Sequence, residues 1–149
     1  MSIQQQIEQI LGSNNTDRRI PVVVLLGATA KQASELVLRK LSARELSRLV
    51  VFVNGPVRCV WPEGLRYRST EFDELVGSQG CLCCAMRSEL ASALSQLFFG
   101  VLRRQEPAVG CVLIVTQAVD ASVLAESLKH APFLAQRYRL TASLPLASA

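Results

Sequence analysis

Apolar positions along the chain alternate between helical spacing and continuous runs, and that alternation predicts the fold. Ile3, Ile7, Ile10 and Leu11 share one helical face over Ser2 to Leu11, with Ser2 and Gln5 in capping-box spacing and Gly12 placed to end the helix. The polar, Asn-rich stretch from Ser13 to Arg19 reads as a linker. Ile20 to Leu26 is then an unbroken apolar run that stops at Gly27, as expected of a strand buried on both faces. Helical spacing returns from Ser34 to Ser42 through Leu36, Leu38 and Leu41. A second buried run, Leu49 to Val53, ends at Asn54-Gly55-Pro56. Strand, helix and strand in this order predict a βαβ unit.

Arg58 to Tyr67, with Trp61-Pro62 and Gly64, reads as irregular or edge structure, and Glu71 to Gly77 leads into a cysteine cluster. A long helix is expected from near Ala85 or Met86, because Met86, Leu90, Leu94, Leu97, Phe98, Val101 and Leu102 keep helical spacing until Pro107. Val109 to Val115 is another buried run, and helical patterns follow at Ser122 to Leu128 and near Phe133 to Tyr138. The alternation predicts an α/β domain with a mainly parallel sheet. The expected organisation is an amphipathic helix over residues 1–12, a linker over 13–19 and one domain over 20–149.

Composition narrows the classes. Half of the 149 residues are apolar, which is enough for one cored domain. No apolar run approaches the roughly 20 residues a membrane span needs, and the Gln-rich amino terminus lacks the pattern of a signal peptide. A cytoplasmic protein is expected. The net charge of +4 comes from scattered pairs such as Arg18-Arg19, Arg39-Lys40 and Arg103-Arg104. With little aromatic interleaving, this points to a solvated surface rather than to nucleic-acid binding.

The five cysteines carry the most specific chemistry. Cys111 opens an apolar run and reads as core, while Cys81-Leu82-Cys83-Cys84 puts three thiols in four residues just before the long helix. A helix amino terminus stabilises thiolate, the form that ligates metal, and Gly80 permits the turn needed for neighbouring thiols to converge. Three thiolates suit zinc or a similar soft or borderline ion. A fourth ligand would come from water, a second subunit, Cys59 or His130. The alternative chemistry is a C-x-x-C redox pair at a helix start, but no Trp precedes Cys81 and Val109 to Val115 contains no proline.

Gly80-Cys81-Leu82-Cys83-Cys84, with Leu90 and Leu94 downstream, resembles the G-C-x-C-C motif and following helix of the CobW-type P-loop GTPases, relatives of the HypB and UreG nickel chaperones. The resemblance implies a P-loop NTPase-like three-layer sandwich, truncated, and places the P-loop on Gly27 to Ser34. Within G-x-x-x-x-G-K-[ST], Gly27 and Ser34 match, while Gln32 and Ala33 stand at the second glycine and the lysine. Gly27, Lys31 and Ser34 are then a vestigial cofactor site. The family's acidic residues are missing at Gly55 and Val115, so binding of GTP and Mg²⁺ is doubtful and hydrolysis is not expected. The resemblance spans Pro21 to Leu140 and stops short of the guanine-specificity motif.

The expectation is therefore a CobW-like, zinc-class metal-binding protein. Its role would lie in metal homeostasis or in regulating an intact relative, with a client metalloprotein or a second copy as partner. The competing expectations are a weak GTP-binding protein with an altered loop and an interaction module whose cysteines are incidental.

Overall fold

The computed structural model describes residues 3–12, 19–54, 60–70, 89–105, 107–116 and 132–145. Helix α1 (Ile3–Gly12) is followed by β1 (Ile20–Leu26), α2 (Ala30–Leu36), a 3₁₀ turn at Leu38–Lys40, α3 (Ala43–Arg48) and β2 (Leu49–Asn54). After these come β3 (Arg66–Thr70), α4 (Glu89–Leu102), β4 (Cys111–Val115), α5 (Pro132–Arg137) and β5 (Tyr138–Pro145). The five strands form one sheet in the order β3-β2-β4-β1-β5, and every pairing is parallel. This is the α/β, three-layer sandwich of P-loop NTPase-like kind that the sequence predicts. Among the described residues no helix is long and apolar enough to cross a membrane.

The continuous apolar runs are explained by the layers. Strand side chains alternate between faces, so Val22, Val24, Phe52, Val112 and Ile114 meet Ala93, Leu94 and Leu97 of α4 and Leu134 of α5 on one side. Val23, Leu25, Val51, Leu113 and Val115 meet α1, α2 and α3 on the other. The central strands β1, β2 and β4 are covered on both faces, which is the usual condition of a parallel sheet. Connections that move toward β3 pack on the α2 face and those that return toward β5 pack on the α4 face, as crossovers of one hand require.

α1 docks on the domain by the face its periodicity predicts, with Ile3, Ile7 and Leu11 buried. Its carboxyl end is capped by Arg48, whose guanidinium donates to Leu11 O at 2.7 Å, and Gly110 N donates to Arg48 O at 2.7 Å. Close approach is needed here. A Cβ on Gly110 would lie 3.0 Å from Leu11 Cδ2 and 3.1 Å from the Arg48 guanidinium nitrogens.

Two boundaries differ from the sequence expectation. The helix expected over Ser34 to Ser42 starts earlier, at Ala30, and breaks into α2, the 3₁₀ turn and α3. The cause is a pair of capping boxes, Thr29 with Gln32 and Ser42 with Glu45, each satisfying the first amides of a short helix. The helical pattern near Phe133 to Tyr138 stops at Arg137, and Tyr138 opens an edge strand with Leu140, Ala142 and Leu144 half-buried. The expected helix over Ser122 to Leu128, the linker from Ser13 to Arg18 and the helix before Glu89 lie outside the described residues.

Arg66 fixes the start of β3. Its guanidinium donates to Pro107 O (3.0 Å), Ser47 O (3.0 Å) and Ala108 O (3.1 Å). Arg66→Ala is expected to cost about 1–3 kcal/mol, measured as a lower urea midpoint, and Arg66→Lys to recover only part of it because an ammonium lacks the planar fork. An unchanged midpoint in the alanine variant would show that the three contacts contribute nothing net.

Candidate functional site at the carboxyl edge of the sheet

In an open parallel sheet, ligands bind outside the strand carboxyl ends where the chain leaves in opposite directions. That point lies between β1 and β4. The chain passes from β1 toward β2 and from β4 across β1 to β5. β1 ends at Leu26, and Gly27 turns the chain with φ of 63°, a left-handed conformation that glycine adopts without a steric penalty. Ala28 N then donates to Thr116 O at 2.8 Å and Thr116 N donates to Leu25 O at 3.1 Å, so the base of the crevice is closed by main chain.

The turn into α2 takes three residues, Gly27 to Thr29. Thr29 Oγ1 accepts from Gln32 N at 3.3 Å, Gln32 Oε1 accepts from Thr29 N at 3.0 Å, and Ala33 N donates to Thr29 O at 3.0 Å. A phosphate-binding loop presents its amides outward to the ligand. Here the amides of Ala28, Thr29, Gln32 and Ala33 are engaged within the protein, and the segment aligned with the P-loop is mostly helix.

The structure keeps Gly27 exposed on this turn and Lys31 exposed at the start of α2. Ser34 faces elsewhere. It is 0 % exposed and its hydroxyl donates to Val60 O at 2.8 Å, which ties α2 to the connection before β3. Ala33, at the position of the family's lysine, is 0 % exposed and packs in the core beneath α2. Sequence reading missed the structural roles of Thr29, Gln32 and Thr116. The T-x-x-Q spacing of a capping box was the available signal for the first two.

Cys81, Cys83 and Cys84, with the possible further ligands Cys59 and His130, lie outside the described residues. The two ends between which the thiols fall are described. β3 finishes at Thr70 on the carboxyl edge, and α4 begins at Glu89. Its carboxy-terminal half lies beside α5, where Phe98 and Phe133 meet edge to face at 6.0 Å. Among the described residues no group of three or more His, Cys, Asp or Glu side chains could hold a metal ion.

Cys111 is the core residue its apolar setting predicts, 0 % exposed, with Sγ donating weakly to Val112 O at 3.6 Å. Burial pushes its thiol up to about 12 by disfavouring thiolate, an effect the Arg139 guanidinium partly offsets. It is chemically the opposite of a metal ligand. No family model, curated protein or solved structure matches the chain.

Proposed function

We propose that this protein handles a zinc-class metal ion, which Cys81, Cys83 and Cys84 bind as thiolates. In this reading the P-loop-like turn at Gly27 to Ser34 has become scaffold. The observation that carries the proposal is the placement of three thiols in four residues within the connection from β3 to α4. β3, which precedes the thiols in the chain, ends at the edge of the sheet where α/β proteins put their chemistry. Three thiolates give soft-metal affinity with one coordination position open, which suits transfer of the ion as cargo better than a closed structural site. The CobW-like motif supplies the wider role, in metal homeostasis or in regulating an intact relative. The internal use of the amides of Ala28, Thr29, Gln32 and Ala33 supports a protein that does not hydrolyse GTP.

The test is a competition titration of reduced, metal-free protein with zinc against a chromophoric chelator, run beside Cys83→Ser. Stoichiometric binding by the wild type is expected, with affinity falling by about 100-fold or more in the variant, since a serine hydroxyl does not replace thiolate. Absence of competition, or binding indifferent to the substitution, would reject metal handling.

A second reading, weak Mg²⁺-dependent guanine-nucleotide binding, is favoured by the exposure of Gly27 on the turn and of Lys31 in the first turn of α2. It has to contend with Ser34, whose hydroxyl would face Mg²⁺ but is donated to Val60 O. Titration with a fluorescent GTP analogue separates the two readings.

A further inference from the structure

The carboxyl ends of α4 and α5 are joined by a ladder of rings and guanidinium groups. The Arg137 guanidinium carbon lies 3.8 Å from the centroid of the Phe133 ring, Phe133 and Phe99 stand 5.4 Å apart, and the Arg103 guanidinium carbon lies 5.6 Å from the Phe99 centroid. Such contacts hold a guanidinium in place without neutralising it. Arg137 Nη1 donates to Phe133 O at 3.2 Å and to Gln136 Oε1 at 3.4 Å, both neutral acceptors, and its buried Nε meets no acceptor. Among the described residues no carboxylate is bonded to Arg103, Arg104 or Arg137. Beside these cations Leu102 is 65 % exposed and Phe99 39 % exposed.

Arg103 and Arg137 are ordinary at helix carboxyl ends, where the helix dipole favours cations. Arg104 is not. Its φ of 59° is left-handed, while Arg104 N donates to Val101 O at 3.1 Å and Gln105 N to Gly100 O at 2.8 Å. These bonds make a Schellman cap, whose left-handed position glycine fills without a steric penalty. An exposed arginine stands there instead, at a cost in local stability.

We propose that this surface binds an acidic peptide segment, with carboxylates paired to Arg103, Arg104 and the half-buried Arg137 and an apolar side chain resting on Leu102 and Phe99. Charge selects the occupant. A second copy docked about a two-fold axis would set the same arginines against one another. Nucleic acid needs open ring faces for its bases, and here Phe99 and Phe133 are packed on one another and on guanidinium groups. A lipid surface needs apolar side chains that insert, and Phe99 is held against Phe133.

The experiment is fluorescence anisotropy of a labelled peptide of Glu-Leu-Ala-Glu repeats, titrated with the reduced full chain at low salt beside its Gln-Leu-Ala-Gln counterpart. Saturable binding of the acidic peptide alone is expected. The double variant Arg103→Glu, Arg104→Glu should weaken it by about tenfold or more through like-charge repulsion. Arg104→Gly should weaken it by about two- to fivefold while raising the urea midpoint, a combination that a purely structural residue does not give. No binding, equal binding of the two peptides, or binding indifferent to the double variant would overturn the proposal. Tighter binding of single-stranded RNA or of phosphatidylserine vesicles, lost in the same variant, would overturn a peptide as the occupant.

Discussion

Ala33→Lys, the substitution that restores the P-loop lysine to its aligned position, is expected to unfold most of the protein and to bring no gain in nucleotide binding. Ala33 is 0 % exposed and sits among Val23, Leu25 and Val37 beneath α2. A lysine there either holds an unpaired ammonium in the core or gives up its proton. Deprotonation at neutral pH, against the 4–5 unit depression known for buried lysines, corresponds to a cost of roughly 4–6 kcal/mol. That is comparable with the whole stability of about 5–15 kcal/mol typical of a small domain. Ala33→Leu separates the two terms, since it overpacks the same site without charge and should cost about 1–3 kcal/mol. Urea unfolding measures both variants, and a fluorescent GTP analogue reports binding. A stable Ala33→Lys protein that binds nucleotide would mean that the turn opens easily and that the scaffold reading of Gly27 to Ser34 is wrong.

The reason lies in the length of the turn as much as in the missing lysine. α2 begins at Ala30, so the glycine and lysine positions of the motif, Gln32 and Ala33, are already in its first turns. Changing both residues alters side chains while leaving a three-residue connection in which the amides of Ala28 and Thr29 are already bonded. Nucleotide binding would require the Thr29–Gln32 capping box to break, and each cap of this kind is worth about 1 kcal/mol.

The buried strands were legible because a strand covered on both faces has no polar positions to confuse its reading. Ile20 to Leu26, Leu49 to Val53 and the run into Val115 could be assigned from composition alone. α1 was equally plain, since Ile3, Ile7 and Leu11 obey one period and one burial pattern. β5 escaped notice because an edge strand is half-exposed, and Tyr138-Arg139-Leu140-Thr141 carries no β-branched run to set it apart from the helix before it. α2 was placed too late because its start was read from the apolar spacing of Leu36, Leu38 and Leu41, whereas the Thr29–Gln32 capping box begins the helix at Ala30. At the site, spacing identified the thiols. The closure of the crevice by Ala28 and Thr116 depends on main chain, which no side-chain motif reports.

Cys111 gives the protein an alkaline instability that can be assigned to one atom. Its thiol is raised from 9.0 to about 12, chiefly by burial, so between those pH values the folded protein keeps a proton that the unfolded chain has lost. The sign follows from linkage. The folded state binds more protons, so stability falls as pH rises through this window, by about 1.4 kcal/mol per unit and roughly 4 kcal/mol across it. Below pH 9 the contribution is fully present. Cys111→Ala should lower stability by about 1–2 kcal/mol at neutral pH through the small cavity, while losing that part of the alkaline slope. Lysine and tyrosine titrations are common to both proteins and cancel in the difference. Urea midpoints from pH 7 to pH 10.5 decide the matter, since parallel curves for the two proteins would remove Cys111 as the source. Alkylation supplies an independent check, because three units of pKa lower the thiolate fraction about a thousandfold and burial bars the reagent as well. Native protein at pH 8 should leave Cys111 unmodified until urea unfolds it, so any thiols that zinc protects in the native chain can be counted without a contribution from the core.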